Sequence, residues 1–368
     1  MPKYDGPPRN PRIISIFEGE RISFVGNQDG LIEKISGDRL GQAFDSVNDF
    51  FEDHREFSAS SALPALKLYL LVSILSSPKT DTLEINEKIE GRLRRIADIE
   101  KKFSDPKNCL PTVGVEIEVP KKVVNSGHEF LLRRIGIPNT RERWSLHEFK
   151  PKFTYSPWTQ GRILEDLSKL GLIPKDEEPI SMHVNFGVPG HIIFGDLLSH
   201  QKDTVLLNDL FVYAYSSPAR IMARKTDLAY KYDRAEPEPK NRSNLRVEFR
   251  ANEFKDYPTY RLLVETQRLV AMYLAYLKKM LRKETLSETE ERLALLWEDF
   301  EKEARKFLYE DQSIPPRIYD QSKKQTVEIM ERDLGLKEKS RVLMTKYSKL
   351  VAGIINLDQE PEKEIPGK

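Results

Sequence analysis

The sequence predicts an α+β fold, in which an antiparallel or mixed sheet is flanked by helices and followed and preceded by helical segments. Three observations predict it. Helical periodicity dominates as far as residue 103 and again from Tyr260 onward, whereas strand-like segments gather between residues 112 and 250. Strands and helices do not alternate regularly, as they would in a chain of βαβ units. Neither a G-x-x-x-x-G-K-[ST] loop nor a G-x-G-x-x-G turn occurs, so P-loop and dinucleotide-binding folds have no support.

The elements follow in order. Residues 1–11 read as a flexible, polar and proline-rich arm without a secretory signal. Ile13 to Phe17 and Arg21 to Val25 read as two strands of a hairpin joined at Glu18-Gly19-Glu20. Helices are expected over 38–54, 62–76 and 85–103. The second is the most apolar stretch, but it carries Pro64 and Lys67. It falls short of the roughly 20 residues that span a bilayer, and so reads as a core helix. The third is highly charged and should pack by one narrow stripe before Ser104-Asp105-Pro106 ends it. Strands are then expected at 112–119, 143–149, 181–188 and 244–250. Between them, Thr159 to Leu170 reads as an amphipathic helix ending at Gly171, and Leu197 to Tyr215 as mostly helical up to Ser216-Ser217-Pro218. Tyr232 to Ser243 reads as a polar loop. Helices follow at 259–283, 287–309 and 320–351, with a break at Pro315-Pro316 and a disordered tail from Gln359. The domain organisation expected is 1–107 (hairpin and helices), 108–283 (sheet region), 284–358 (helical) and 359–368 (tail).

Composition narrows the function. With 59 basic and 58 acidic residues the formal net charge is +1, which gives no reason to expect a nucleic-acid or anionic-membrane partner. One cysteine, Cys109, excludes an intrachain disulfide and a thiolate metal cage. It is expected to be a buried, small apolar residue. A soluble, cytoplasmic protein is the default reading.

Three strand segments carry the chemistry. They are Val113-Gly114-Val115-Glu116-Ile117-Glu118-Val119, Met182-His183-Val184-Asn185-Phe186 and Leu245-Arg246-Val247-Glu248-Phe249-Arg250. Side chains alternate faces along a strand, so each segment sets apolar residues on one face and ligand-type residues on the other. Glu116 and Glu118 repel each other unless solvated, paired or bridged by cations. Carboxylates with an imidazole suit Mg²⁺ or Mn²⁺. Arg246 and Arg250 suit phosphoryl oxygens, which a planar guanidinium binds bidentately. Gly187 and Gly190, after the second segment, allow a close approach of backbone or ligand. Each segment also has a plainer reading: a solvated acidic row, a structural histidine, an ion-pair ladder.

In this order the three segments resemble the glutamine synthetase superfamily of ATP-dependent carboxylate–amine ligases, which includes the glutamate–cysteine ligases and the amidoligases. Gly114-Val115-Glu116-Ile117-Glu118 matches its first Glu-x-Glu strand, Met182-His183-Val184-Asn185-Phe186-Gly187 its central strand, and Val247-Glu248-Phe249-Arg250 its Glu-x-Arg strand. Asp256-Tyr257-Pro258-Thr259-Tyr260 resembles the tail of the last motif. The resemblance covers residues 110–280 and implies a curved sheet of the glutamine synthetase-like catalytic type. It also implies roles. Glu116, His183 and Glu248 would hold the metal that bridges the nucleotide phosphates, and Glu118 a second metal. Glu148 would be the intermediate acidic ligand. Arg250, with Arg246, would meet the transferred phosphoryl group. Asn185, Arg220 and Arg224 would bind substrate. ATP and Mg²⁺ or Mn²⁺ would be the cofactors, and a small-molecule or peptide carboxylate and an amine the substrates. The chain departs from the family in having one clear intermediate acid rather than two, no evident loop guarding an ammonia site, and no β-grasp pattern in its first 105 residues. These departures argue against free ammonia as the amine and glutamine as the product.

Two other functions remain open on the sequence. One is phosphotransfer to a guanidine or another nucleophile; guanidino kinases share a related fold, but rely on more arginines and lack the carboxylate–histidine set. The other is an inactive scaffold that keeps the fold. The charged, amphipathic helices beyond residue 285 could cover the site, form a homo-oligomer or bind a partner.

Overall fold

The computed structural model describes residues 37–58, 60–76, 85–120, 132–137, 139–141, 146–170, 181–190, 192–215, 230–234, 245–253, 259–282, 284–311, 334–355 and 357. The expected hairpin at 13–25, the arm before it, the break at Pro315-Pro316 and the tail from Gln359 lie outside these residues. Helices and antiparallel strands make up the described chain, so its class is α+β. It divides into two compact units: Met1–Lys102, Glu116–Thr154 and Trp158–Ile180 form the first, and Phe103–Val115, Tyr155–Pro157 and Ser181–Lys368 the second.

In the first unit, α1 (Gly37–Asp53) buries Leu40, Ala43, Phe44, Val47, Phe50 and Phe51. Those positions repeat at the three- and four-residue spacing of one helix face. The chain then turns through Arg55–Phe57, where Phe57 closes on Phe50 and Phe51. Helix α2 (Leu63–Leu75) starts with Pro64 in its first turn, where a missing N–H costs nothing. It buries Leu66, Leu68, Leu70, Leu71 and Ile74, residues from every side, and is therefore the central helix of this unit. Helix α3 (Glu87–Phe103) is largely polar and buries one stripe, Leu93, Ile96, Glu100 and Phe103. Glu100 is tolerated there because Ser61 and Thr159 donate hydroxyls to it, at 2.5 and 3.2 Å.

Strands β1 (Val113–Pro120), β2 (Asn139–Arg141) and β3 (Leu146–Phe149) follow, with β3 pairing antiparallel to both of the others. The first three residues of β1 belong to the second unit and the remainder to the first. Helix α4 (Pro157–Lys169) closes the first unit with Ile163, Leu164 and Leu167 buried.

The second unit holds β4 (Ser181–Gly187), β5 (Tyr230–Arg234) and β6 (Leu245–Glu253), with β6 central and antiparallel to both neighbours. Strand β5 is a correction, because Tyr232 to Arg234 was expected to be loop. The Tyr-x-Tyr alternation at 230 and 232 is the strand signal that the neighbouring charges obscured. Strand β6 also runs three residues past its expected end at Arg250.

The short α5 (Phe194–Ser199) leads into α6 (Gln201–Tyr215), whose Phe211 packs on Phe249 of β6 at 5.1 Å between ring centroids. Helix α7 (Thr259–Leu281) is buried on most of its circumference. It is joined by α8 (Glu288–Arg305) and by α9 (Leu334–Ile355). The helix expected to end at 309 changes to a π-turn over Lys306–Asp311. Of the last expected helix, residues 320–333 lie outside the described residues. No described helix is long and apolar enough to cross a membrane.

Candidate functional site

The three motif segments are all strands, and their apolar residues are core. Val113, Val115, Ile117 and Val119 are buried, as are Met182, Val184 and Phe186, and Val247 and Phe249. The alternation therefore leaves the polar residues of β1 and β4 on the faces opposite this packing.

In the first unit, Glu116 is 5% exposed, and the Lys150 ammonium lies 3.7 Å from its Oε2. A buried carboxylate requires a cationic or hydrogen-bonding neighbour, and Lys150 supplies one positive charge. Lys150 follows directly after β3, a position with no signal in the sequence pattern. Glu118 is half-buried and stands across from Glu148 in the β1–β3 register. The side chain of Glu148 lies outside the described residues.

In the second unit, His183 and Asn185 are completely buried. Asn185 stands across from Glu248, and Gly187 across from Arg246. Arg246 is half-buried. The register shifts beside His183: Met182 pairs with Asn252 but Val184 with Phe249. Arg250 and Ala251 of β6 together oppose His183 alone. This is a β-bulge, a device that re-aims side chains and recurs beside functional sites. The side chains of Glu248 and Arg250 lie outside the described residues, as do Arg220 and Arg224 altogether. On the far side of β6, the register sets Lys231 across from Glu248 and Asp233 across from Arg246. The structure thus brings His183, Asn185, Glu248 and Arg250 onto one strand pair and Glu118 and Glu148 onto another.

No family model matches this chain, and no curated protein matches it.

The approach to β1 is held by a residue that the sequence reading did not single out. Gln267, buried on α7, donates both amide hydrogens to backbone carbonyls, those of Pro111 and Tyr155, each at 2.7 Å. A glutamine inside an apolar helix pattern is the only trace of this clamp in the sequence. Of the two glycines, Gly187 justifies its identity. Its N–H donates to the Thr112 carbonyl at 2.9 Å, and a Cβ would run into the Thr112 hydroxyl. Gly190 has open space around it.

Cys109 differs from expectation. It is half-buried, takes a left-handed backbone with φ of 54°, and points its thiol at the Pro106 and Lys107 carbonyls and the Ser287 hydroxyl. Burial pushes its thiol pKa up, which disfavours the nucleophilic thiolate.

Among the described residues, no three His, Cys, Asp or Glu side chains are grouped to hold a metal ion. Two of the five expected ligands, Glu148 and Glu248, fall outside that statement. The donor chemistry of the expected set, carboxylate oxygens with one imidazole, fits Mg²⁺ or Mn²⁺. The amide of Asn185 is fully buried, and neither Oδ1 nor Nδ2 has a hydrogen-bond partner among the described residues.

Proposed function

We propose that the protein is an ATP- and divalent-metal-dependent carboxylate–amine ligase of the glutamine synthetase-like kind, forming an amide through an acyl-phosphate. The observation that carries this reading is the β4–β6 pair. There, buried His183 and Asn185 meet the Glu248-x-Arg250 segment in register, beside a bulge. Burying the Asn185 amide with no hydrogen-bond partner among the described residues is costly in a sheet that needs only a core. The cost is understandable where the strands present a polar ligand with its partners.

In this reading Glu116, Glu118, Glu148, His183 and Glu248 are the metal ligands, and the metal would neutralise phosphoryl charge. Arg250, with Arg246, binds the phosphoryl oxygens and stabilises the charge that develops during transfer. A substrate carboxylate oxygen would take the γ-phosphoryl group of ATP with ADP leaving, and the amine would then attack the acyl carbon, losing a proton and expelling phosphate, so no protein nucleophile is required. Arg220 and Arg224 are candidates for the substrate carboxylate. A cytoplasmic setting, where ATP is plentiful, belongs to the same proposal.

The test is calorimetric titration with ATP, with and without Mg²⁺ or Mn²⁺, on the wild type and on Glu116→Ala. Metal-dependent binding that the substitution removes is expected. Absence of nucleotide binding under all conditions would assign these polar residues to structure and sink the ligase reading.

A further inference from the structure

Helix α1 is electrostatically unfavourable by itself. Over residues 41–53 its exposed charged side chains are Asp45, Asp49, Glu52 and Asp53, all acidic, on the face opposite the buried Leu40, Phe44, Val47 and Phe51. Asp45 with Asp49, and Asp49 with Asp53, are like charges four residues apart, a spacing at which helical side chains meet and repel. Glu52 and Asp53 end the helix, where its dipole is negative, and the last turn holds no basic residue. Among the described residues no ion pair reaches these four carboxylates.

Helix α3, in the same unit, has the opposite excess. Lys88, Arg92, Arg95 and Lys102 are exposed along one flank, and the exposed Arg94 and Lys101 add to them against Glu87 and Asp98. Lys88 and Arg92 are also like charges four residues apart, and Lys88 stands in the first turn, where the dipole is positive. Lys88, Arg95 and Lys102 recur every seven residues, and so do Asp45 and Glu52 on α1. Seven residues of helix rise about 10 Å, so the acidic and basic rows share one pitch.

A metal ion does not answer the acidic row, since no three such side chains are grouped to hold one among the described residues. A nucleic acid on α3 would leave α1 unanswered, and a formal net charge of +1 gives the chain no long-range pull on it. A second copy answers both rows at once, because a two-fold axis repeats every contact.

We infer that the protein self-associates through its N-terminal unit as a two-fold dimer, α1 of each copy lying along α3 of the other. Asp45, Asp49 and Glu52 then face Lys88, Arg95 and Lys102 twice over. This surface is separate from the helices beyond residue 285, and it stands whether or not the ligase reading does. Exposed ion pairs are individually weak and screened by salt, so the dimer is reversible and belongs to low ionic strength.

The experiment is sedimentation equilibrium of the full chain at about 50 mM and about 500 mM salt, with protein up to about 0.1 mM. A dimer that grows no further is expected at low salt, at least tenfold weaker at high salt. Reversing the acidic row (Asp45→Lys, Asp49→Lys, Glu52→Lys) should weaken it at least tenfold at low salt, and so should reversing the basic row (Lys88→Glu, Arg95→Glu, Lys102→Glu). Reversing both rows in one chain should restore it, with the formal net charge back at +1. Melting temperatures close to wild type show that the variants fold. Where the basic-row reversal melts well below it, Lys88→Gln with Lys102→Gln should show a smaller loss of the same kind. A wild type that is monomeric at both salt concentrations would overturn the inference. So would a dimer equally strong at both, or a folded double-reversed chain that stays monomeric.

Discussion

At the scale of single residues, the buried polar groups divide into those whose needs the fold meets and those it leaves open. Glu265 on α7 is satisfied: the Tyr215 hydroxyl, the Arg261 guanidinium and the Thr345 hydroxyl all donate to it, at 2.5, 2.9 and 2.7 Å. Asp166 on α4 is not. Its carboxylate is fully buried, and its nearest counter-charges among the described residues are Arg162 and Lys169, at 3.6 and 3.5 Å. Burial outweighs these two cations and pushes its pKa up to about 6. The folded protein therefore holds a proton that the unfolded chain releases nearer the ordinary aspartate value of 3.8. The sign follows from linkage: the stability from this proton is complete below about pH 4 and lost as the pH rises through about 6. Asp166→Asn should flatten that slope and be more stable than wild type at pH 7.5 by about 1–3 kcal/mol. Chemical denaturation of both proteins at pH 4, 6 and 7.5 checks it, and parallel pH profiles would show that Asp166 ionises normally. Asn185 is another such residue among those described, and the hydrophobic alternation that located it in the sequence could not say whether its amide finds a partner.

At the scale of elements, periodicity located most of the secondary structure because burial and spacing agree. The stripe of Leu93, Ile96, Glu100 and Phe103 is the narrow packing face expected of a highly charged α3. Helix α8 begins where Ser287 and Glu290 form a reciprocal capping box. The Ser287 hydroxyl accepts from the Glu290 N–H at 3.2 Å, and the Glu290 carboxylate accepts from the Ser287 N–H at 2.8 Å. The helix was expected from residue 287, but the Ser-x-x-Glu box that fixes its start was not singled out in the sequence. Ser287→Ala should cost about 1 kcal/mol, measurable by denaturant titration, and an unchanged midpoint would mean that water replaces the cap fully. Gly187 is an element-scale constraint of another kind, because its backbone runs against Thr112 at the start of β1. Gly187→Ala should destabilise by about 1–3 kcal/mol through overpacking. Thr112→Ala removes the obstructing hydroxyl and should recover most of the loss in a double-mutant cycle. Additive effects would place the cost in the β4 backbone instead. Strand β5 was misread for a physical reason: five residues of alternating aromatic and charged character border a polar segment, and only pairing with β6 makes them a strand.

At the scale of the whole molecule, a ligand that binds only the folded chain must raise its stability by mass action. At a nucleotide concentration one hundred times Kd, the ligase reading predicts a gain of about 2.7 kcal/mol. A melting curve with ATP and Mg²⁺ should shift upward for wild type and stay in place for Glu116→Ala. A shift equal in both proteins would remove Glu116 from the nucleotide site. What the sequence by itself determined was the α+β class, the three motif strands and the apolar face of each. Alternation with period two and helical spacing are local properties, written in neighbouring residues and independent of what packs against them. Tertiary structure alone decided the pairings, such as Asn185 across from Glu248 and Glu118 across from Glu148. It also decided the bulge at His183, the Lys150 charge beside Glu116 and the Gln267 clamp on Pro111 and Tyr155. Each joins residues far apart in the chain, and which of them meet depends on strand register and helix docking, which no local pattern encodes.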